Sequence, residues 1–281
     1  MRFFRRSPHP QVGGPTFDPA ETAWLRAKRR PFETFSVGSL VPVAFDRYVR
    51  VLHPASSYGN LPVRWTQVAA WSGRTAHGLA QWDLLSRPVT GLELGQRPFI
   101  LPPRAGGLPA DQLRALCEVL AGATTEPEHC FSASWDGYGD PAMLWADGTS
   151  KAGGPPTVPV AAPQSDAREL RFDYRAFLVV EGSIATVAAT SGRGLSYQLP
   201  PTLFWPRDRA WFVATDPDLD STYVGGSAEL IATILATPLF EAWPAGPDDD
   251  ITIGADEINL DREEVVPAGQ LSWFDPPEPR P

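Results

Sequence analysis

Apolar residues along the chain are spaced as short helices and short strands that follow one another without a regular βαβ rhythm. Asp18 stands where an N-cap belongs and Pro19 fits a first helical position. Trp24 and Leu25 give that helix its apolar side, and it should end before Pro31. Residues 43–52 alternate as a strand does, with Val43, Phe45, Val49 and Val51 on one face and Asp46, Tyr48 and Arg50 on the other. Arg47 interrupts the apolar face, which predicts a buried or half-buried ion pair there. Asn60 is a candidate N-cap for a short helix over residues 61–72, with Leu61, Trp65, Val68 and Ala69 on its buried stripe. A second short helix is expected over residues 79–85, around Trp82. The clearest helix follows Pro109. Asp111 suits its first turn, Leu113, Leu116, Cys117 and Leu120 recur at helical spacing, and Gly122 stops it. Residues 129–135 read as a strand closed by Asp136 and Gly137.

From residue 146 to 168 the pattern disappears. Pro155, Pro156, Pro159 and Pro163, with Gly153 and Gly154, describe an exposed connector, read as an insertion because neither half holds a self-sufficient set of strands. Beyond it, Leu170, Phe172, Tyr174, Ala176, Leu178 and Val180 alternate with Glu169, Arg171, Asp173 and Arg175. Glu181 and Gly182 then read as a turn into a second strand over residues 184–189, making a hairpin. Residues 210–215 are apolar on both faces, as a central strand is. Ser227 should cap a helix over residues 228–236, buried through Leu230, Ile231, Ile234 and Leu235 and stopped by Pro238, with a last strand over residues 239–243. These elements predict an α+β fold: a mixed or mainly antiparallel sheet packed with several short helices and carrying a long Pro/Gly-rich insertion. The expected organisation is a flexible tail (1–16), one globular domain (17–273) and a disordered tail (274–281). Within that domain, candidate subdomains 17–145 and 169–273 flank the connector 146–168.

Composition narrows the class. A chain of 281 residues can bury roughly three quarters of its unfolded surface, so it needs no disulfide or metal staple. Cys117 and Cys130 lie outside any CxxC pair and are expected reduced and buried. No run of 18 apolar residues would span a membrane. Pro8, Pro10, Gly13 and Gly14 stand where a signal peptide needs an apolar core, so the expected compartment is the cytoplasm. The net charge of −9 is unevenly spread. Residues 1–30 hold seven basic and two acidic groups, so the remainder, with 17 and 31, carries −14. Such a body repels nucleic acid, whose binding depends on cations that neutralise phosphates. The basic run at residues 26–30 reads as a solvated helix end.

The densest polar segment is residues 205–229. Trp205, Arg207 and Arg209 precede the central strand; Asp216, Asp218, Asp220 and Tyr223 follow it. The alternate aspartates match the first half of a calcium loop. The second half fails, with Ser221 in the glycine position and Ser227 where a bidentate glutamate belongs. Asp216, Asp218 and Asp220 are therefore a minor metal candidate. Gly225, Gly226 and Ser227 lead into a helix N-terminus, but three nearby carboxylates oppose an anion there. The favoured arrangement pairs Arg207 and Arg209 with the aspartates and uses the two glycines for positive φ. An alternative is a recognition surface formed by exposed Trp205, Arg207, Arg209 and Tyr223. His53, His77 and His129 show no HxH or HxxxH spacing and are expected to lie apart, no GxSxG elbow marks a serine nucleophile, and no cofactor is implied.

Three stretches, VPVAFDRYVRVLHPA, CFSASWDGYGD and LFWPRDRAWFVATDPDLDSTYVGGSAELIATIL, resemble an uncharacterised family of actinobacterial proteins over residues 40–260. That resemblance implies a bacterial cytoplasmic protein and carries no activity, cofactor or catalytic residue. The functional expectation leans away from an enzyme. It is a non-catalytic interaction module with an acidic surface, immunity-like or regulatory, steered toward a basic protein partner rather than nucleic acid or membrane. The alternatives are a metal-assisted hydrolase using Asp216, Asp218 and Asp220 with His53 or His77, and a small-molecule binder with an aromatic pocket.

Overall fold

The computed structural model describes residues 19–135, 168–172, 175–190 and 201–261. Tail 1–16, nearly all of connector 146–168 and tail 274–281 lie outside them. Eight strands form one antiparallel sheet: β1 (Arg47–Leu52), β4 (Cys130–Trp135), β5 (Arg168–Phe172), β6 (Arg175–Gly182), β7 (Leu203–Pro206), β8 (Phe212–Ala214), β9 (Ser221–Gly226) and β10 (Glu241–Ala245). Their spatial order is β10-β1-β9-β8-β7-β4-β6-β5, so β1 lies between strands that come almost two hundred residues later. A separate hairpin pairs β2 (Ala55–Ser56) with β3 (Pro62–Val63). The fold is α+β.

Both sheet faces are covered. On one, Val49, Val51, Phe204, Val213 and Val224 pack under α5 (Ala110–Ala121), α6 (Ile184–Ala189) and α7 (Ala228–Ala236). The predicted stripe of α5 is the one buried: Leu113, Leu116, Cys117 and Leu120. On the opposite face, Tyr48, Phe131, Trp205, Phe212 and Tyr223 meet Leu25 of α1 (Pro19–Lys28), and Val37 and Leu40 of α2 (Val37–Leu40). Beyond β1 this layer continues into a third cluster. There Leu52 packs with Trp65 and Val68 of α3 (Trp65–Ser72), with Trp82 and Leu85 of α4 (Trp82–Leu85), and with Phe99.

Several expectations are corrected. Residues 168–182 are two strands, not one, because Phe172 pairs back with Arg175 across two residues. The register sets Leu170 opposite Phe177, so Leu170, Phe177 and Val179 pack into the core cluster, while of the expected even-numbered face of β6 Ala176 is buried and Leu178 and Val180 are only half-buried. Residues 184–189 form a helix, not a strand. Ser183 accepts a hydrogen bond from the Thr186 amide, and six apolar residues carry too little periodicity to separate the two states. The helix expected from residue 61 starts at Trp65. Pro62 and Val63 are drawn into pairing with β2, Asn60 turns the chain at φ 59°, and Leu61 is 64% exposed instead of buried. The carboxylate of Glu241 caps α3, accepting from the amides of Trp65 at 2.6 Å and Thr66 at 2.7 Å. Arg47 is exposed and makes no buried ion pair, because it stands at the outer end of β1 and donates to the Asp46 carbonyl.

Gly225 and Gly226 are strand residues without positive φ, so their expected role in a turn is also corrected. They are small because neighbours come close. A Cβ on Gly225 would meet the Phe45 ring at 2.5 Å and Val41 at 2.8 Å, whereas one on Gly226 meets the flexible tip of Leu230. Gly225→Ala is expected to lower unfolding free energy by about 1–3 kcal/mol and Gly226→Ala by less, measured by urea titration of both variants.

Candidate functional site

The polar segment 205–229 is mostly core. Trp205 is buried, stacked on Phe212 with centroids 5.4 Å apart and beside Phe131 at 5.6 Å. Tyr223 is likewise buried, and burial pushes its phenol pKa up. Neither forms part of an exposed recognition surface, because β7 and β9 lie inside a sheet covered on both faces. Arg207 pairs with Glu181, and the Arg209 guanidinium sits 5.2 Å over the Trp24 ring.

The aspartates are neutralised by different arginines from those expected. Arg175 pairs with Asp216 and reaches Asp218 at 3.4 Å, and its guanidinium lies over Phe32 and Trp135. Asp220 turns to Arg50, 3.8 Å away, and accepts from the Ser221 hydroxyl at 3.2 Å. The reason is geometric. Arg207 and Arg209 stand at one end of β8 and the aspartates at the other, while β6 and β1 bring Arg175 and Arg50 to the aspartate end. Burial raises the pKa values of Asp216 and Asp220, and their arginines oppose the rise. The three carboxylates do not converge on one point, and no group of three metal-ligating side chains occurs among the described residues.

Around Arg50 lies a buried polar network. Its Nε donates to the Ser221 hydroxyl at 2.9 Å, and its Nη1 donates to the carbonyls of Gly78 at 3.0 Å and Ala80 at 2.8 Å. Trp65 stacks on the guanidinium and donates its indole N–H to the His53 carbonyl at 2.8 Å. The sequence placed Arg50 on a polar strand face, but both faces of β1 are covered. His53 is fully buried. Its Nδ1 donates to the Arg104 carbonyl at 2.7 Å, and its Nε2 accepts from the Thr222 hydroxyl at 2.9 Å, which in turn accepts from Thr215 at 2.7 Å. His77 bonds Asp256 at 2.7 Å, and His129 is exposed beside Glu181. The histidines are thus held in separate sets. Cys117 and Cys130 are free thiols raised by burial to about 12 and about 11, which leaves them inert as nucleophiles at neutral pH. A shallow cleft of about 460 Å³ lies between residues 43–48 and 245–247. Its Tyr48 hydroxyl is engaged, donating to the Pro42 carbonyl and accepting from the amides of Ala44 and Phe45.

The feature that sequence reasoning missed is an exposed apolar face beside this network. The Leu101 amide donates to the Ser56 carbonyl at 3.1 Å and the Ser56 amide donates back at 3.0 Å, while the Ser57 amide donates to the Leu61 carbonyl. Leu101 thereby bonds alongside β2; it and its neighbour Ile100 are 57% and 41% exposed, and Tyr58 and Leu61, on the turn between β2 and β3, are 80% and 64% exposed. Val89, Leu92 and Leu94 extend the exposed aliphatics along the same loop, residues 86–109, which joins α4 to α5. Aromatic contacts hold its base: Phe99 lies 4.9 Å from Trp82 and 6.0 Å from Trp71. The available signal was a long aliphatic, Pro-punctuated stretch with neither helical nor strand period. No protein-family model, curated protein or solved structure matches the chain.

Removing Arg50 strands Asp220, Ser221 and two carbonyls together. Arg50→Ala is expected to cost about 3–5 kcal/mol, against less than about 1 kcal/mol for exposed Arg207→Ala, in paired denaturant titrations. His53 is held neutral: burial, with the charges of Arg50 and Arg104, lowers its pKa from 6.5 to about 4 despite the Arg104 carbonyl bond. The unfolded chain therefore binds a proton that the fold refuses. The stabilisation is complete above pH 6.5 and is lost as pH falls toward 4, on the order of 3 kcal/mol in all. Unfolding free energies measured between pH 7 and 4 should show this component in the parent and lose it in His53→Gln.

Proposed function

We propose that the protein is a non-catalytic interaction module that binds a protein partner through the apolar face of hairpin β2–β3 and the 86–109 loop. The observation that carries this reading is the exposure of Tyr58 and Leu61 on the turn between β2 and β3 together with Ile100 and Leu101 on the segment that bonds to Ser56. Isolated surface aliphatics need no explanation, but a gathered set does. A connection this long within a compact body is more often functional than structural. Exposed Arg64, Arg97 and Arg104 flank the aliphatics, so the partner suited to this face presents apolar anchors among carboxylates. This replaces the basic partner expected from net charge and the binding role expected for segment 205–229. An immunity-like or regulatory role in the cytoplasm fits a protein that acts by covering another. No helix among the described residues is long and apolar enough to cross a membrane. Against the hydrolase alternative, Asp216, Asp218 and Asp220 are occupied by Arg175 and Arg50.

A photo-cross-linking residue in place of Leu101 is expected to capture one stoichiometric partner in cells, and the same residue in place of exposed Glu118 on α5 should not. Leu61→Ser with Leu101→Ser should weaken that partner's binding at least about tenfold, with stability within roughly 0.5 kcal/mol of the parent. Unchanged affinity in the double variant would remove the face from the interface.

A further inference from the structure

We infer that the occupant of this face is a second copy of the same chain, with an acidic strap at residues 256–261 of each copy seated on the arginine-flanked aliphatics of the other around a two-fold axis. The inference rests on reading the face as a docking surface, and it names what docks there.

The strap is built beside the face. Arg74 holds the Asp261 carboxylate through two bonds of 2.9 and 2.8 Å and donates to the Asn259 carbonyl at 2.8 Å. Asn259 exchanges bonds of 2.9 and 3.0 Å with the Thr75 backbone, and buried Asp256 accepts from His77 and from the Gln81 amide. These bonds hold residues 256–261 against the stretch that follows α3. The aliphatic loop is held against the same stretch. The Arg74 Nε donates to the Arg87 carbonyl at 2.9 Å, the Val89 amide donates to the Ser72 carbonyl, and a Cβ on Gly73 would meet Leu92 at 3.1 Å. Strap and loop therefore share a boundary at residues 72–75.

Charge selects how two copies meet. Ile258 is 62% exposed, with exposed Glu257 before it and exposed Asp261 after it. Residues 246–261 hold six acidic groups and no basic one, whereas residues 86–109 hold Arg87, Arg97 and Arg104 against Glu93 alone. Face against face would set arginines against arginines. Face against strap sets them against carboxylates and brings Ile258 to the aliphatics, so the strap supplies the apolar anchor among carboxylates that suits this face. Because the two complementary patches adjoin, a two-fold axis at their boundary makes the contact twice and closes the assembly at two copies.

The apolar area is of the right size. Eight of the twelve large apolar side chains exposed among the described residues belong to the face or are Ile258. They offer on the order of 800 Å² per copy, about one partner's share of a standard interface and above the roughly 300–600 Å² of a monomer's largest apolar patch.

The test is the oligomeric state of the full chain, read by sedimentation. The parent is expected to be a dimer at low micromolar concentration. Leu101→Ser with Arg97→Glu alters the face, and Ile258→Ser with Glu257→Arg alters the strap. Each pair should raise the dimer dissociation constant at least about tenfold while keeping the parent's urea midpoint. Mixing the two variants leaves one face-to-strap contact unaltered and reverses both charges of the other, so the mixture should dimerise more tightly than either variant alone. A parent that stays monomeric up to about 100 µM, a dimer that either variant leaves intact, or a mixture no tighter than its components would overturn the inference. The photo-cross-linker at position 101 separates that failure from failure of the docking reading. Adducts between copies support the second copy. Capture of a different chain by a monomeric parent would remove the second copy and leave the docking face, and no adduct of either kind would remove both.

Discussion

A buried guanidinium on a central strand has to find acceptors or cost the fold several kcal/mol, and the Arg50 side chain, on a residue 3% exposed, finds them in three separate pieces of chain. Ser221 opens β9 and Asp220 immediately precedes it, the carbonyls of Gly78 and Ala80 come from the loop before α4, and the Trp65 ring from α3. Meeting that demand fixes the 65–85 region against the sheet. From the guanidinium, Trp65, Trp82 and Phe99 then follow one another edge to face. Exposed Ile100 and Leu101 follow directly on Phe99, the outer ring of this series. A rigid base lowers the ordering cost of binding, which separates a docking face from a merely uncovered loop.

Asp216, Asp220, Glu241 and Asp256 work inside the fold, as partners of Arg175, Arg50, the α3 N-terminus and His77. Each joins elements distant in sequence. The carboxylates that looked most like a cation site thus have arginine partners, Arg175 for Asp216 and Asp218 and Arg50 for Asp220. The aliphatic face, by contrast, is served by arginines. The exposed aliphatics are thus flanked by arginines on a body that is acidic as a whole.

The His77–Asp256–Asn259 set connects these parts. It seals the strap at residues 256–261 against the loop that also supplies the Arg50 acceptors. Arg74 extends the seal to Arg87 and so to the first exposed aliphatics.

Much of the fold was legible along the chain because local spacing carries it. Helix α5 with its Leu113–Leu116–Cys117–Leu120 stripe, the Ser227 cap of α7 and the fully apolar β8 all follow from residue order over a few turns. Residues 184–189 were not legible, since six apolar residues satisfy either period and packing against α5 decides. Nor was the neutralisation of the aspartates. Sequence fixes which charges exist, but an antiparallel strand separates Arg207 and Arg209 from Asp216 by its own length and imports Arg175 and Arg50 from elsewhere. The sequence by itself determined the α+β class, the two uncoupled cysteines and the acidic balance. The tertiary structure alone decided that Trp205 and Tyr223 are core and that Leu61 and Leu101 are surface. Burial depends on what the rest of the chain lays over a residue, and spacing within a segment does not encode that.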